Sequence, residues 1–354
     1  MRARIFLVAA SCLLSLVTGL VRSRGGASPG AGERRPPLIG LSLDTLKEER
    51  WQHDRDLFVA RARELGADVL VQAANSDDTR QIQDVEALIS RRVDVLVVVP
   101  HNGQAMAKAV ALAHEAGIPV IAYDRLIPKA GVDLYISFDA VTVGAQQARF
   151  LVEQFKGKGP RRIVRVHGAK TDNNALLGKK GQDGVLDPLI RRGQIVVAHE
   201  DWAENWKPES AKKIVQAALT RAGRFDAVLA ANDGTAGGAA QALAEEGLTG
   251  KVLVTGMDAE LAACQRVVHG TQSMTIYKPL KLLAHAAADA AVKLAQRRPV
   301  VAKAEVDDGQ APVPSILMDV VTVTRDNISA TVVRDGFHAL EDVYRGVPLS
   351  QRPR

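Results

Sequence analysis

Carboxylate, amide and basic side chains follow many of the short apolar runs in this 354-residue sequence, where they could act together. In chain order these positions are Asp44, Lys47, Arg50, Asp124, Arg125, Asp139, Asp172, Asn173, Asn174, Asn232, Asp233, Asp258 and Lys278. A sugar hydroxyl both donates and accepts a hydrogen bond, so it can bridge a carboxylate on one side and an arginine or amide on the other. This set of side chains therefore predicts a binding site for an uncharged polyol.

Aromatic residues are scarce, at 4% of the sequence, and the tryptophans follow the same apolar runs. The three tryptophans are Trp51, Trp202 and Trp206. An indole ring can pack against the apolar face of a sugar ring, although Trp202 could equally cover the edge of the core. For Asp44, Asp139 and Asp233 we expect mainly the ordinary role of an aspartate after a strand, a helix cap or a turn.

The sequence lacks the motifs of cofactor, phosphate, nucleophile and metal sites. There is no G-x-G-x-x-G, no Walker-type loop, no G-x-S-x-G, no H-E-x-x-H and no calcium loop, and the eight histidines never pair at ligand spacing. We therefore expect no cofactor and no metal. An exported carbohydrate enzyme is the alternative from another class, with Asp172 and either Asp124 or Asp258 as its paired carboxylates.

Apolar runs alternate with stretches of helical length from residue 38 onward. The predicted strands are Ile39–Leu43, Val69–Ala73, Val93–Val99, Val120–Ala122, Leu134–Ser137, Ile163–Val166, Ile195–Ala198, Ala227–Ala230 and Val252–Thr255. The predicted helices are Glu49–Leu65, Thr79–Arg91, Gln104–Ala116, Thr142–Phe155, Ala175–Arg192, Ser210–Thr220, Ala236–Glu245 and Leu280–Arg297. This repeated βαβ pattern predicts doubly wound parallel α/β layers, and the number of strands indicates two sheets and two lobes.

The N-terminus has the pattern of a secretory signal. Arg2 and Arg4 precede Ile5–Val21, a stretch without charge, and residues up to 37 form a Gly/Pro/Arg connector. We expect removal of this leader and a periplasmic protein; retention as an anchor helix is the alternative. Cys264 would then be the only cysteine left, as a buried apolar residue.

The net charge of +6 comes mostly from this leader and connector. Residues 1–37 hold six arginines and one glutamate, which leaves 40 basic against 39 acidic side chains in the rest of the chain. A body that is nearly neutral offers no electrostatic attraction for nucleic acid. The N-terminal leader also occupies the place where a DNA-binding helix-turn-helix would stand. We therefore expect no nucleic-acid partner.

Several stretches together resemble periplasmic sugar-binding proteins of the ribose/galactose type, and within them the branch that binds D-xylose for ABC transporters. The stretches are LDTLKEERWQHDRD (43–56), VDVLVVVPHNGQ, YDR, YISFD, DNN, AANDGTAGGA, GMD (256–258) and TQSMTIYKP. The resemblance covers residues 38 to about 338. It implies sugar contacts at Arg50, Asp124, Arg125, Asp172, Asn174, Trp206, Asn232, Asp258 and Lys278. Lys47, Trp51 and Asn173 are further candidates, with Asn173 and Asn174 as alternatives for one position.

The resemblance also implies a two-lobed fold joined by three crossover strands at a hinge, closing on one pyranose. Chain order assigns residues 38–137 and 278–312 to an N-terminal lobe, and residues 138–277 and 313–354 to a C-terminal lobe. The implied partners are a monosaccharide, D-xylose or a related aldose such as ribose, and the permease of an ABC importer. A chemoreceptor is an alternative partner, in a signalling role, and we expect a monomer that is not an enzyme.

Overall fold

The computed structural model describes residues 35–155, 157 and 159–353. The predicted signal sequence and nearly all of the connector therefore lie outside the described residues. In the part of the chain that is described, no helix combines the length and the apolar character needed to cross a membrane.

The described residues form the alternating strands and helices that the sequence predicts, with additional strands toward the C-terminus. The strands are β1 (Leu38–Leu43), β2 (Asp68–Ala73), β3 (Val95–Val98), β4 (Val120–Tyr123), β5 (Leu134–Phe138), β6 (Arg161–His167), β7 (Ile195–Trp202), β8 (Ala227–Ala230), β9 (Leu253–Val254), β10 (Thr275–Tyr277), β11 (Ala304–Asp307), β12 (Pro312–Met318) and β13 (Val321–Val323). The helices are α1 (Glu49–Glu64), α2 (Asp78–Ser90), α3 (Gly103–Glu115), α4 (Ala140–Gln154), α5 (Asn173–Arg191), α6 (Pro208–Ala222), α7 (Asp233–Glu245), α8 (Leu261–His269), α9 (Leu280–Ala295) and α10 (Leu340–Val343).

Two larger sheets organise the chain, and each is covered by helices on both faces. The first has the order β11-β12-β5-β4-β3-β1-β2 and is parallel except for the β11–β12 pair. The second has the order β7-β6-β8-β9 and is parallel throughout. We call the first sheet with helices α1, α2, α3 and α9 the first lobe, and the second sheet with helices α4 to α8 the second lobe.

The apolar runs of the strands are explained by cores on both faces of each sheet. In β3, Val95 and Val97 pack in the core beneath α1 and α9, whereas Leu96 and Val98 pack in the core beneath α2 and α3. The second sheet has the same arrangement, with separate cores toward α6 and α7 and toward α4 and α5. Cys264 is free and fully buried in a further core under the C-terminal segment.

The chain passes between the two sheets three times: between β5 and α4, between β10 and α9, and between β12 and β13. The strands β10 and β13 pair with each other in an antiparallel two-stranded sheet at these crossings. The sequence placed the third crossing after residue 312. Instead, Ser315–Met318 of β12 pairs with Tyr135–Phe138 of β5, so the returning segment stays in the first sheet as far as Met318.

Candidate functional site

The carboxyl ends of the strands in both lobes face one cavity of ≈ 1060 Å³, a volume that includes its open mouth. Such a position is where open parallel sheets bind ligands. The nine residues implied by the resemblance all line this cavity, as does Trp51. Lys47 is exposed outside it, and Asn173 is the first residue of α5 but does not line it.

Arg50 lies in the first turn of α1 and joins carboxylates from three parts of the chain. Its side chain pairs with Asp124, with Asp258 at 3.3 Å and with Asp54 one helical turn later at 3.2 Å. Arg50 is only 6% exposed, and its guanidinium carbon lies 4.4 Å from the centre of the Trp51 ring. The buried guanidinium is thus held by three carboxylates and one aromatic face.

Arg125 follows β4 and makes a second bridge across the cavity. Its Nη1 donates to Asp44 Oδ2 at 2.7 Å and to the carbonyl oxygen of Pro100 at 3.0 Å. Its Nε lies 2.8 Å from Asp172 Oδ2, on the second lobe. The sequence predicted a helix cap or a turn residue at Asp44; it caps no helix but lies in a bend after β1, where it anchors Arg125.

Second-lobe residues reach the cavity from the N-termini of helices. Asp172 caps α5 and also accepts a hydrogen bond from Trp206 Nε1 at 3.2 Å. Asn232 caps α7 through a reciprocal capping box with Thr235. The Trp206 ring lies against Gly168, where any Cβ would come within 2.1 Å of the indole, so only glycine leaves room for this ring.

Asn174, not Asn173, is the amide that reaches across to the first lobe. Its Nδ2 donates to the backbone carbonyl of Asp124 at 2.9 Å and to Asp124 Oδ1 at 3.1 Å. Lys278, directly after β10, pairs with Asp258 Oδ1 at 3.1 Å and lies over the Phe138 ring. Together with Arg50–Asp258 and Arg125–Asp172, these contacts bring the two lobes together around the cavity.

Five cavity-lining residues have the left-handed backbone that L-residues rarely adopt. They are Ser76 (φ 62°), Asp124 (φ 62°), Asn205 (φ 51°), Trp206 (φ 58°) and Asp258 (φ 101°). Each such position costs on the order of 1–3 kcal/mol and persists only where neighbours hold it. The Asp124 carbonyl oxygen, for example, accepts hydrogen bonds from Tyr135, Ser137 and Asn174.

The buried cations of the cavity favour the charged form of the carboxylates beside them. Burial alone would raise the pKa of Asp124, but the charges of Arg50 and Lys278 outweigh it and hold that pKa below its usual range. Burial raises the pKa of Asp172, and the Arg125 charge opposes this effect. These carboxylates and guanidiniums can accept hydrogen bonds from a polyol and donate hydrogen bonds to it, and their partners in each lobe hold them in position.

Three further residues that the sequence analysis considered lie outside these nine. Trp202 packs on His167 at a ring distance of 4.7 Å and does not line the cavity. Asp139 caps α4, as expected. Asp233 does not cap α7; it is buried and accepts hydrogen bonds from Gln272, Thr275 and the backbone of Glu260.

Several other cavity-lining residues carry no signal in the sequence. Glu48 lies in the loop between β1 and α1, Gln147 lies within α4 and Glu260 lies in the loop before α8. His167 is the exception, because it ends β6 and could have been included by the strand-end rule. In the described part of the chain, no group of three or more His, Cys, Asp or Glu side chains is arranged to hold a metal ion.

Two parallel-sheet lobes that share a cleft lined with fixed donors, acceptors and an aromatic face define a solute-binding protein. Residues 39–299 match the model of the periplasmic binding protein domain, and the chain belongs to this family. The resemblance and the fold class predicted from the sequence motifs are therefore confirmed.

The chain is 48% identical to the D-xylose-binding periplasmic protein of Haemophilus influenzae, over 94% of this chain and 98% of that protein. It is 44% identical to the D-xylose-binding periplasmic protein of Escherichia coli, over 92% and 97% of the two chains. Among solved structures, it is similar to a carbohydrate transporter solute-binding protein from Chloroflexus aurantiacus in complex with D-glucose. That similarity has a TM-score of 0.80 and 35% identity, over 86% of this chain and 97% of the other. The chain is accordingly a binding protein and not an enzyme.

Proposed function

We propose that this chain is an exported receptor that captures D-xylose, or a closely related monosaccharide, and delivers it to an ABC importer. The observation that carries the proposal is the convergence of donors and acceptors from both lobes, with Trp51 and Trp206, on one cavity. The names of the two xylose-binding relatives support D-xylose among the possible sugars.

In this proposal the sugar lies between the lobes and replaces part of their direct contacts. The first lobe, residues 38–138 and 278–318, contributes Arg50, Asp124, Arg125 and Lys278. The second lobe, residues 139–277 and 319–354, contributes Asp172, Asn174, Trp206, Asn232 and Asp258. A ligand that bonds to both lobes favours the closed arrangement over an open one by its differential affinity.

The closed form would present a composite surface from both lobes to the membrane permease. The nearly neutral body suits an uncharged ligand, and the N-terminal leader would direct the chain to the periplasm. Mass spectrometry of the protein recovered from the periplasm tests this localisation. A mature N-terminus between residues 22 and 38 is expected; an intact leader would contradict it.

Uptake of labelled D-xylose by cells with and without the gene tests the transport role. We expect loss of high-affinity uptake in the deletion strain, with recovery when the gene is restored. A strain that keeps its uptake but loses chemotaxis toward D-xylose would instead indicate the signalling role.

A further inference from the structure

Two carboxylates on the first-lobe wall of the cavity each keep one oxygen without a hydrogen-bond partner. Asp44 is 4% exposed; its Oδ2 accepts from Arg125, whereas its buried Oδ1 has no partner. Glu48 Oε2 is also buried without a partner. Both residues line the cavity. A buried acceptor that is left unpaired is costly, so these oxygens indicate that donors come from a ligand.

Glu48 has no evident structural role that would explain its position. It precedes α1, but its side chain makes no cap hydrogen bond to that helix. Within the described residues it forms no salt bridge, whereas Asp44 is paired with Arg125 and Asp258 with Arg50 and Lys278. Glu48 is therefore a carboxylate at the cavity without a countercharge of its own.

The surroundings of Glu48 are themselves acidic. Burial raises the pKa of Glu48; the Arg125 charge opposes this, and Asp44 and Asp258 add to it. Glu260, across the cavity on the second lobe, has its pKa raised to about 8 by burial and by neighbouring carboxylates, with Glu48 among them. A second negative charge brought into this part of the cavity would be repelled, whereas a hydroxyl would find two free acceptors.

We propose that Asp44 and Glu48 form a hydroxyl-accepting subsite of the cleft, and that Glu48 makes the cleft selective for uncharged sugars over sugar acids. This inference rests on the proposed sugar-binding function and names the ligand class more closely. The subsite takes hydroxyl donors of a neutral aldose, and it rejects ligands that carry a carboxylate, such as hexuronates.

Three ligands form a matched series for the test: D-xylose, D-glucose and D-glucuronate. They share one pyranose pattern and differ at a single carbon, which carries hydrogen, a hydroxymethyl group or a carboxylate. Isothermal titration calorimetry at pH 8 would measure their affinities for the wild-type protein and for Glu48→Gln. The control is Glu49→Gln, which removes the next charge in the chain, from a side chain that is 47% exposed, lies 3.3 Å from His53 and does not line the cavity.

We expect Glu48→Gln to weaken D-xylose binding by about tenfold, because a neutral acceptor replaces a charged one. We also expect it to bind D-glucuronate at least about tenfold more tightly than the wild-type protein does, because the repelling charge is gone. Glu49→Gln should match the wild-type protein for all three sugars. A thermal melt of each variant separates loss of a contact from loss of the fold.

Unchanged D-xylose affinity in a folded Glu48→Gln variant, or no gain in affinity for D-glucuronate, would overturn this inference. Failure of the proposed function gives a different result, since the wild-type protein would then bind none of the three sugars.

Discussion

At the scale of single residues, the site depends on carboxylates that hold cations in place. Asp54 does not line the cavity and is only 1% exposed, yet it accepts from Arg50 and from the hydroxyl of Tyr123. It is a positioning residue, because it acts on the ligand only through the guanidinium of Arg50. The ion-pair network around Arg50 therefore includes a carboxylate, Asp54, that lies behind the cavity wall.

Asp54→Asn should weaken D-xylose binding by about tenfold, since one charged partner of Arg50 becomes neutral. Burial raises the pKa of Asp54 to about 6, although Arg50 opposes it. In the wild-type protein, affinity should therefore fall as the pH drops below 6 and Asp54 takes up a proton. The variant should show a flatter profile between pH 5 and 7; an identical pH profile by calorimetry would assign Asp54 a purely structural role.

Arg125→Ala should lower the affinity for D-xylose by at least about a hundredfold. The substitution removes a donor and leaves the buried carboxylates Asp44 and Asp172 without their cation. Lys47→Ala is the control, because Lys47 is exposed away from the cavity. Equal affinities of the two variants in a fluorescence titration would remove Arg125 from the site.

At the scale of elements, α4 and α5 pack unusually closely at glycines. A Cβ on Gly181 would lie 1.9 Å from the carbonyl oxygen of Val141, whereas a Cβ on Gly184, in the same helix, would meet nothing within 4 Å. This packing fixes the direction of α5, whose N-terminus carries Asp172 and Asn174 into the cavity.

Gly181→Ala should lower the free energy of unfolding by about 1–3 kcal/mol, since the helices must move apart. Gly184→Ala should raise it by up to about 1 kcal/mol, because alanine favours a helix interior. Urea denaturation of both variants measures the difference. Equal stabilities would mean that α4 and α5 do not constrain each other at this position.

A buried carboxylate also links three elements of the second lobe. Asp233 begins α7 and accepts from Thr275 in β10 and from the backbone just before α8. Burial and the neighbouring Asp258 raise the pKa of Asp233 to about 7, well above the value of an unfolded aspartate. The folded state therefore binds a proton more readily than the unfolded state between pH 4 and 7.

The contribution of Asp233 to stability is fully present below pH 4 and is lost as the pH rises through 7, with a slope of up to about 1.4 kcal/mol per pH unit. The wild-type free energy of unfolding should therefore fall toward pH 8 relative to that of Asp233→Asn. Guanidinium titrations from pH 5 to 8 measure this difference. A constant difference over that range would exclude a proton on Asp233.

At the scale of the whole molecule, the sequence predicted the two lobes but misplaced the third passage of the chain between them, which lies between β12 and β13. The strands β1 to β8 are recognisable as short apolar runs; those inside the sheets are buried on both faces, whereas β2 and β7 at the sheet edges are partly exposed. The strand β12 was missed because Pro312 begins it and because exposed and buried residues alternate along it, unlike the apolar runs of the other strands. Its pairing with β5 depends on contacts that are distant in sequence.

In the site, too, the residues specified by local sequence could be predicted, and those positioned by long-range packing could not. Asp124, Arg125, Asp172 and Asn232 could be predicted because each lies within a few residues after the end of a strand, and the carboxyl ends of parallel strands meet at one edge. The positions of Asp54, Tyr123 and Glu48 relative to the cavity depend on how α1 packs on the first sheet. No local pattern in the sequence specifies that packing.

Binding should also be a property of the two lobes together. The pairs Arg50–Asp258 and Arg125–Asp172 each join one lobe to the other, so a ligand between them bonds to both. A ligand with such contacts stabilises the closed arrangement and adds to thermal stability by mass action.

The most direct test is calorimetric titration of the mature protein with D-xylose, D-ribose, D-glucose and L-arabinose at pH 7. We expect one molecule of D-xylose to bind per chain, more tightly than any of the other three sugars. Binding heat with another of these sugars, and none with D-xylose, would support a sugar receptor with a different ligand. The absence of binding heat with all four would contradict the account.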